Sequence, residues 1–150
     1  MSSLFRLTLG AVVLSLFAIP SLAQSTIPAE YKTSGFFIGC QAWTWNHFTV
    51  VEAIEKTAEV GGKVIEFYPG QAFSKDEPNA KWDHNATAEM ISKVKALLDK
   101  HHIKAVNYGV VGIPKDESEA RKLFTFGKAI GLRAITTESV DAIDTIEKMV

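Results

Sequence analysis

In Val64-Ile65-Glu66-Phe67-Tyr68-Pro69-Gly70 an almost unbroken apolar run surrounds one carboxylate and ends on a Pro-Gly pair. A strand covered on both faces reads as a continuous apolar segment, and Pro-Gly cannot extend it, so the run predicts a parallel strand that stops in a loop. Side chains alternate along a strand, which gives Ile65 and Phe67 one face and Val64, Glu66 and Tyr68 the other. An ionised Glu66 must there be paired, metal-bound or wetted. A face turned into a barrel mouth meets that need.

The flanking sequence repeats the same alternation of strand and helix. Upstream, residues 36–45 are aromatic and β-compatible, with Phe37, Gly39, Gln41, Trp43 and Trp45 on one face and Ile38, Cys40 and Ala42 on the other. The second set suits a helix-covered surface, so Gln41 and the tryptophans are expected to point inward or upward. Thr49 and Glu52 have capping-box spacing, a helix follows, and Gly61 is its expected left-handed stop. Downstream, residues 71–85 form a long polar connection read as a loop, with a lid as its function. A second helix carries Ile91, Val94 and Leu98 inward, and His101-His102 read as its basic end rather than as a metal pair.

Residues 103–110 are the third strand, with Val106 and Tyr108 opposed to Ala105, Asn107 and Gly109. The third helix has the stripe Ala120, Leu123, Phe124, Gly127 and Ile130, and residues 132–138 make a fourth strand before a fourth helix opened by Ser139 or Asp141. Four βα units at intervals of roughly 30 residues predict an α/β fold with a parallel sheet, a partial TIM barrel over residues 36–150. The last apolar stripe runs to Val150 without a stop signal, so the expectation is an N-terminal half, truncated rather than complete.

Composition narrows the function classes. With 47% hydrophobic and 22% charged residues the chain has the balance of a globular domain, and a net charge of -1 supplies no basic field for nucleic acid. Arg6, the apolar run after it and Pro20-Ser21-Leu22-Ala23 have the form of a signal peptide, residues 1–23, cleaved after Ala23. The run is shorter than the ~20 residues of a spanning helix. A secreted or periplasmic protein without a membrane anchor is expected, with residues 24–35 as a lead-in. Cys40 is the single cysteine and reads as a small core residue.

Two carboxylates carry the chemical expectation. Ala134, Thr136 and Glu138 share a strand face by parity, and Thr136 with Glu138 is too polar for a helix-covered side. Alternate barrel strands fill the same interior layers, so Glu66 and Glu138 are expected to reach a common space. There they could hold a divalent cation or act as base and acid beside a carbonyl. The bland alternative is a structural ion pair for Glu66 and a helix-start acid for Glu138. His47 and His84 occupy loops at the same end, where each alone is more often a surface histidine.

The segments Ile38-Gly39-Cys40-Gln41-Ala42-Trp43-Thr44-Trp45, Thr49-Val50-Val51-Glu52-Ala53, Val64-Ile65-Glu66-Phe67-Tyr68-Pro69-Gly70 and Thr137-Glu138-Ser139 together resemble the sugar phosphate isomerase/epimerase family, whose fold is the xylose isomerase-like TIM barrel. The resemblance implies a divalent metal (Mn, Mg or Co) and isomerisation or epimerisation of a sugar through an enediolate, with glutamates moving the proton. It implies Glu138 as a metal ligand, Glu66 and Glu138 as catalytic residues, and Gln41, Trp43, Trp45, His47 and Asn107 as substrate-binding residues. Most metal ligands of that family lie on later strands, so the resemblance implies that this half is inactive as an isomerase by itself. Export favours a free or oxidised sugar over a phosphorylated one. The alternatives are a carbohydrate-binding platform of Trp43, Trp45 and Trp82 without turnover, and a half-barrel completed by forming a homodimer.

Overall fold

The computed structural model describes residues 27–150. The expected signal peptide, residues 1–23, lies outside the described residues. A 3-10 turn, Ala29–Tyr31, leads into a short antiparallel hairpin, β1 (Lys32–Thr33) with β2 (Phe36–Phe37). The main sheet is built from β3 (Gly39–Gln41), β4 (Val64–Phe67), β7 (Lys104–Tyr108) and β8 (Ala134–Ile135), in that order and all parallel. Between β4 and the next helix lies a second hairpin, β5 (Gln71–Ala72) with β6 (Lys81–Trp82).

The helices are α1 (Val50–Glu59), α2 (Ala88–His101), α3 (Glu117–Ile130) and the short α4 (Ile143–Glu147), and each packs on the next. Crossovers of a single hand between successive parallel strands put their helices on one side of the sheet. The burial agrees, because Ile65, Phe67, Ala105 and Tyr108 are sealed from water while Gln41, Glu66, Asn107 and Thr136 are not. The chain is therefore an α/β fold with a four-stranded parallel sheet.

Local signals fix the helix ends. Thr49 Oγ1 accepts from the Glu52 amide at 3.3 Å and Glu52 Oε2 accepts from the Thr49 amide at 3.1 Å, the expected capping box. Gly131 takes a left-handed φ of 72° just after α3, and His102 does the same after α2 with φ 53° while stacking on Tyr31. In β3, Gly39 lies so close to β4 that an added Cβ would fall 1.8 Å from the Val64 carbonyl oxygen. Only glycine permits that approach.

Four expectations are corrected. The first strand is far shorter than residues 36–45: a 3-10 turn over Ala42–Trp45 ends the alternation, so Trp43 and Trp45 part company. The fourth strand shrinks from residues 132–138 to Ala134–Ile135, although the Thr136 amide still donates to the Tyr108 carbonyl at 3.0 Å. In β7 the pairing slips between Ile65 and Glu66, so Ala105 opposes Ile65, and Asn107 opposes Glu66. Such an irregularity inserts a residue and inverts the parity beyond it. Ala105 and Tyr108 thus share the helix side, against the expected opposition, and Asn107 reaches the open face.

The fourth correction concerns residues 71–85. They are no loose loop but a hairpin with a packed interior, since Phe73 and Trp82 are 1% and 0% exposed. Trp82 sits between Phe67 (5.6 Å between centroids) and Phe126 of α3 (5.2 Å). Gln71 anchors the hairpin base by donating to the Trp45 and Phe48 carbonyls at 3.2 and 3.0 Å. Trp82 is thereby removed from any sugar-stacking platform.

Candidate functional site

The register of the sheet sets one polar row across its open face. Gln41 ends β3 opposite Glu66, Glu66 lies opposite Asn107, and Asn107 lies opposite Ala134. Parallel strands present their C-terminal ends together, which is where open α/β sheets and barrels place their sites. The Gln41 amide donates to Glu66 Oε1 at 2.9 Å and to the Gly109 carbonyl at 3.3 Å. Both of its N–H groups are then used to hold neighbours in place. Glu66 keeps its second carboxylate oxygen for another partner.

Asn107 Nδ2 donates to Thr136 Oγ1 at 2.7 Å, and Asn107 Oδ1 is buried without a protein partner. The oxygen is sealed from solvent, so the second amide N–H is the group of Asn107 left to meet a ligand. Gly109 brings β7 against the end of β8: an added Cβ would sit 2.4 Å from the Thr136 carbonyl oxygen.

Above the row lies a cleft of about 380 Å³ lined by Gln41, Trp43, Tyr68, Pro69, Gly109 and Val110. Trp43 is 58% exposed and meets the Tyr68 ring edge to face, 4.9 Å between centroids. Burial raises the Tyr68 phenol above its ordinary pKa, so it stays a neutral donor. A wall of two aromatic rings beside the Gln41 amide, which holds Glu66 behind it, is suited to a small hydroxylated molecule.

The other expected residues are placed elsewhere. Trp45 is half-buried against Phe48 at 6.5 Å and serves the packing of α1, with Lys56 over both rings. His47 is exposed in the turn before α1 and does not line the cleft. Glu138 lies three residues past the last paired residue of β8, exposed, in the loop whose carbonyl at Glu138 accepts from the Val140 amide at 2.9 Å. It is not among the residues that line the cleft, and neither are Glu66 and Asn107, which lie in the polar row beneath it.

Among the described residues no group of three or more His, Cys, Asp or Glu side chains is placed to hold a metal ion. Tyr68, Gly109, Val110 and Thr136 join the site without having been singled out for it. The parity of Tyr68 with Glu66 and of Thr136 with Ala134 was the available signal; the Gly109–Val110 loop offered none.

A larger groove of about 480 Å³ lies away from this row, between α2 and α3, lined by His84, Ile91, Arg121 and Phe126 among others. It is a crease between helices and holds none of the open-face polar groups. No described helix is long and apolar enough to cross a membrane.

No family model matches the chain, and no curated protein matches it. The chain is similar to the crystal structure of an uncharacterised protein from Parabacteroides distasonis ATCC 8503, with 22% identity and a TM-score of 0.66 over 76% of this chain and 49% of that one. It thus spans about half the length of that solved structure, and the likeness is one of fold.

Proposed function

We propose that the open face of the sheet is part of the substrate face of a xylose isomerase-like barrel, and that the protein is an extracytoplasmic sugar isomerase or epimerase. The observation that carries this reading is Glu66, held by the Gln41 amide at 2.9 Å on the helix-free face, at the C-terminal ends of parallel strands. A carboxylate clamped at one oxygen and free at the other is built to take a proton from a carbon beside a carbonyl. The C–H bond breaks, its proton passes to Glu66, and the electron pair moves onto the carbonyl oxygen as an enediolate. Return of the proton to the neighbouring carbon, with the hydroxyl proton there passing to the first oxygen, isomerises the sugar; delivery of a proton to the opposite face of the original carbon by a second acid epimerises it, a role that Glu138, exposed past β8, would fill only by turning toward the row. In this reading Asn107, whose amide already donates to Thr136 at 2.7 Å, would give its second N–H to the charged oxygen.

The family resemblance adds Mn, Mg or Co. Such an ion takes about six ligands, and the described residues supply no cluster of three. They do not fit the metal by themselves, and no step is assigned to it. Proton exchange in D2O tests the reading. The chain, incubated with a panel of aldoses and ketoses with and without Mg²⁺ or Co²⁺, should exchange the C–H next to the carbonyl, followed by proton NMR after chelation. Absence of exchange in every combination overturns it.

A second reading, a carbohydrate-binding half-barrel that dimerises without turnover, is favoured by one observation: β3 and β8 are each paired on one side only. Open edges of this kind invite pairing with another chain. Sugar binding by a sedimenting dimer, with no exchange, would establish it.

A further inference from the structure

We infer that the groove between α2 and α3 is a binding site of its own and that it takes a small amphipathic anion, an apolar body with a carboxylate head. The part of its lining that comes from α3 is one helical stripe, because Ser118, Arg121, Thr125 and Ala129 recur at three- and four-residue spacing. Phe126, buried at 3% exposure, and the half-buried Ile91 of α2 give it an apolar floor. Its volume of about 480 Å³ is that of a small-molecule site.

The charge of that lining is positive, since Arg121 and Lys122 both border the groove. Lys122 is held by both oxygens of Glu119, at 2.8 and 2.9 Å. Arg121 is differently placed. The residues one turn from it on α3 are Glu117, Ser118, Phe124 and Thr125, and the single acid among them turns to Lys148. From across the groove α2 sends a further cation, Lys95, which donates to the Ala129 carbonyl at 3.2 Å. Two neighbouring helices thus bring cations to one seam, where an anion lowers their mutual repulsion. A guanidinium matches a planar carboxylate in two parallel hydrogen bonds. The hydroxyls of Ser118 and Thr125 lie on the same stripe, and the hydrocarbon of such a ligand would cover Phe126 and Ile91.

Titration of the full chain with benzoate, phenylbutyrate and octanoate, each against its neutral amide, tests the inference when followed by amide-correlation NMR spectra. At least one acid should shift the signals of Ser118, Arg121, Thr125 and Ala129, and should bind about fivefold or more tightly than its amide at low salt. Arg121→Gln, at an exposed position, should close most of that gap with an unchanged circular dichroism spectrum. Ala129→Leu, which fills the groove, should weaken acid and amide alike by about fivefold. An amide that binds as tightly as its acid, a gap unmoved by Arg121→Gln, binding that Ala129→Leu leaves intact, shifts confined to the Gln41–Glu66 row, or no binding by any of the acids overturns the inference. None of these outcomes bears on the proton-exchange test of the proposed function.

Discussion

The two faces of the parallel sheet are made from neighbouring residues of the same strands, and they do opposite work. On the helix side, Ile65 and Phe67 are 0% exposed, and Phe67, Trp82, Phe126 and Tyr108 form a continuous aromatic chain with centroids 5.2 to 5.6 Å apart. Burying one such side chain stabilises by ~1.5–3 kcal/mol. On the open side, Gln41 bonds Glu66 and Asn107 bonds Thr136, two separate pairs that remain partly in contact with water. Each is worth only ~0.5–1.5 kcal/mol net. Stability therefore resides on one face and recognition on the other, so the two can be perturbed separately.

The largest expected effect is on the packed face. Trp82→Ala should remove ~3–5 kcal/mol, since it empties the centre of the aromatic chain. Urea unfolding followed by near-ultraviolet circular dichroism measures this, and a loss below about 1 kcal/mol would show that the hairpin is not part of the core. Intermediate in size is the start of α1, which belongs to neither face. Thr49→Ala should cost ~1 kcal/mol by removing the helix cap.

The same cap gives a pH signature. The hydrogen bond from Lys75, then that from the Thr49 amide, lowers the Glu52 pKa from 4.5 to about 2. The folded form thus holds this carboxylate ionised more readily than the unfolded chain does. Its stabilisation is complete above pH 4.5 and is lost as the pH falls from 4.5 toward 2. Glu52→Gln should flatten stability in that window, as seen in thermal midpoints measured across it, and an unchanged acid limb would refute the assignment. Smallest is the open face itself: Glu66→Gln should alter stability by no more than about 0.5 kcal/mol. A loss of several kcal/mol in the same urea assay would mean that the row is structural.

How far the sequence could be read depends on which force acts at each residue. The apolar alternation around Ile65 and Phe67, the Thr49/Glu52 cap and the Gly131 stop rest on contacts within a few residues, and all appear where their patterns place them. The open-face position of Glu66 beside Gln41 was also legible, because both follow strand parity. Parity failed at Trp45, where a 3-10 turn replaces the strand, and at Ala105, which a register slip puts on the same face as Tyr108. Glu138 was placed by extending a strand that ends at Ile135, with its last hydrogen bonds to the neighbouring segment made by Thr136. The helix stripes hold at Val94, Leu98, Ala120, Leu123, Gly127 and Ile130, and miss at one position each: Met90 is buried where Ile91 is only partly so, and Phe126, not Phe124, is buried, against Trp82.

Periodicity and capping residues specify the four βα units from the amino-acid order alone, because both depend on groups a turn or two apart in the chain. Which of those residues meet across the sheet was a matter for the assembled fold: the slip in β7, the burial of Trp82 and the Gln41–Glu66 contact over 25 residues of separation arise from packing between distant segments. Local propensity carries no information about which hydrogen-bonding register best fills the space between strands and helices. The close-packed interior makes that choice, and it aims the polar row that the proposed function depends on.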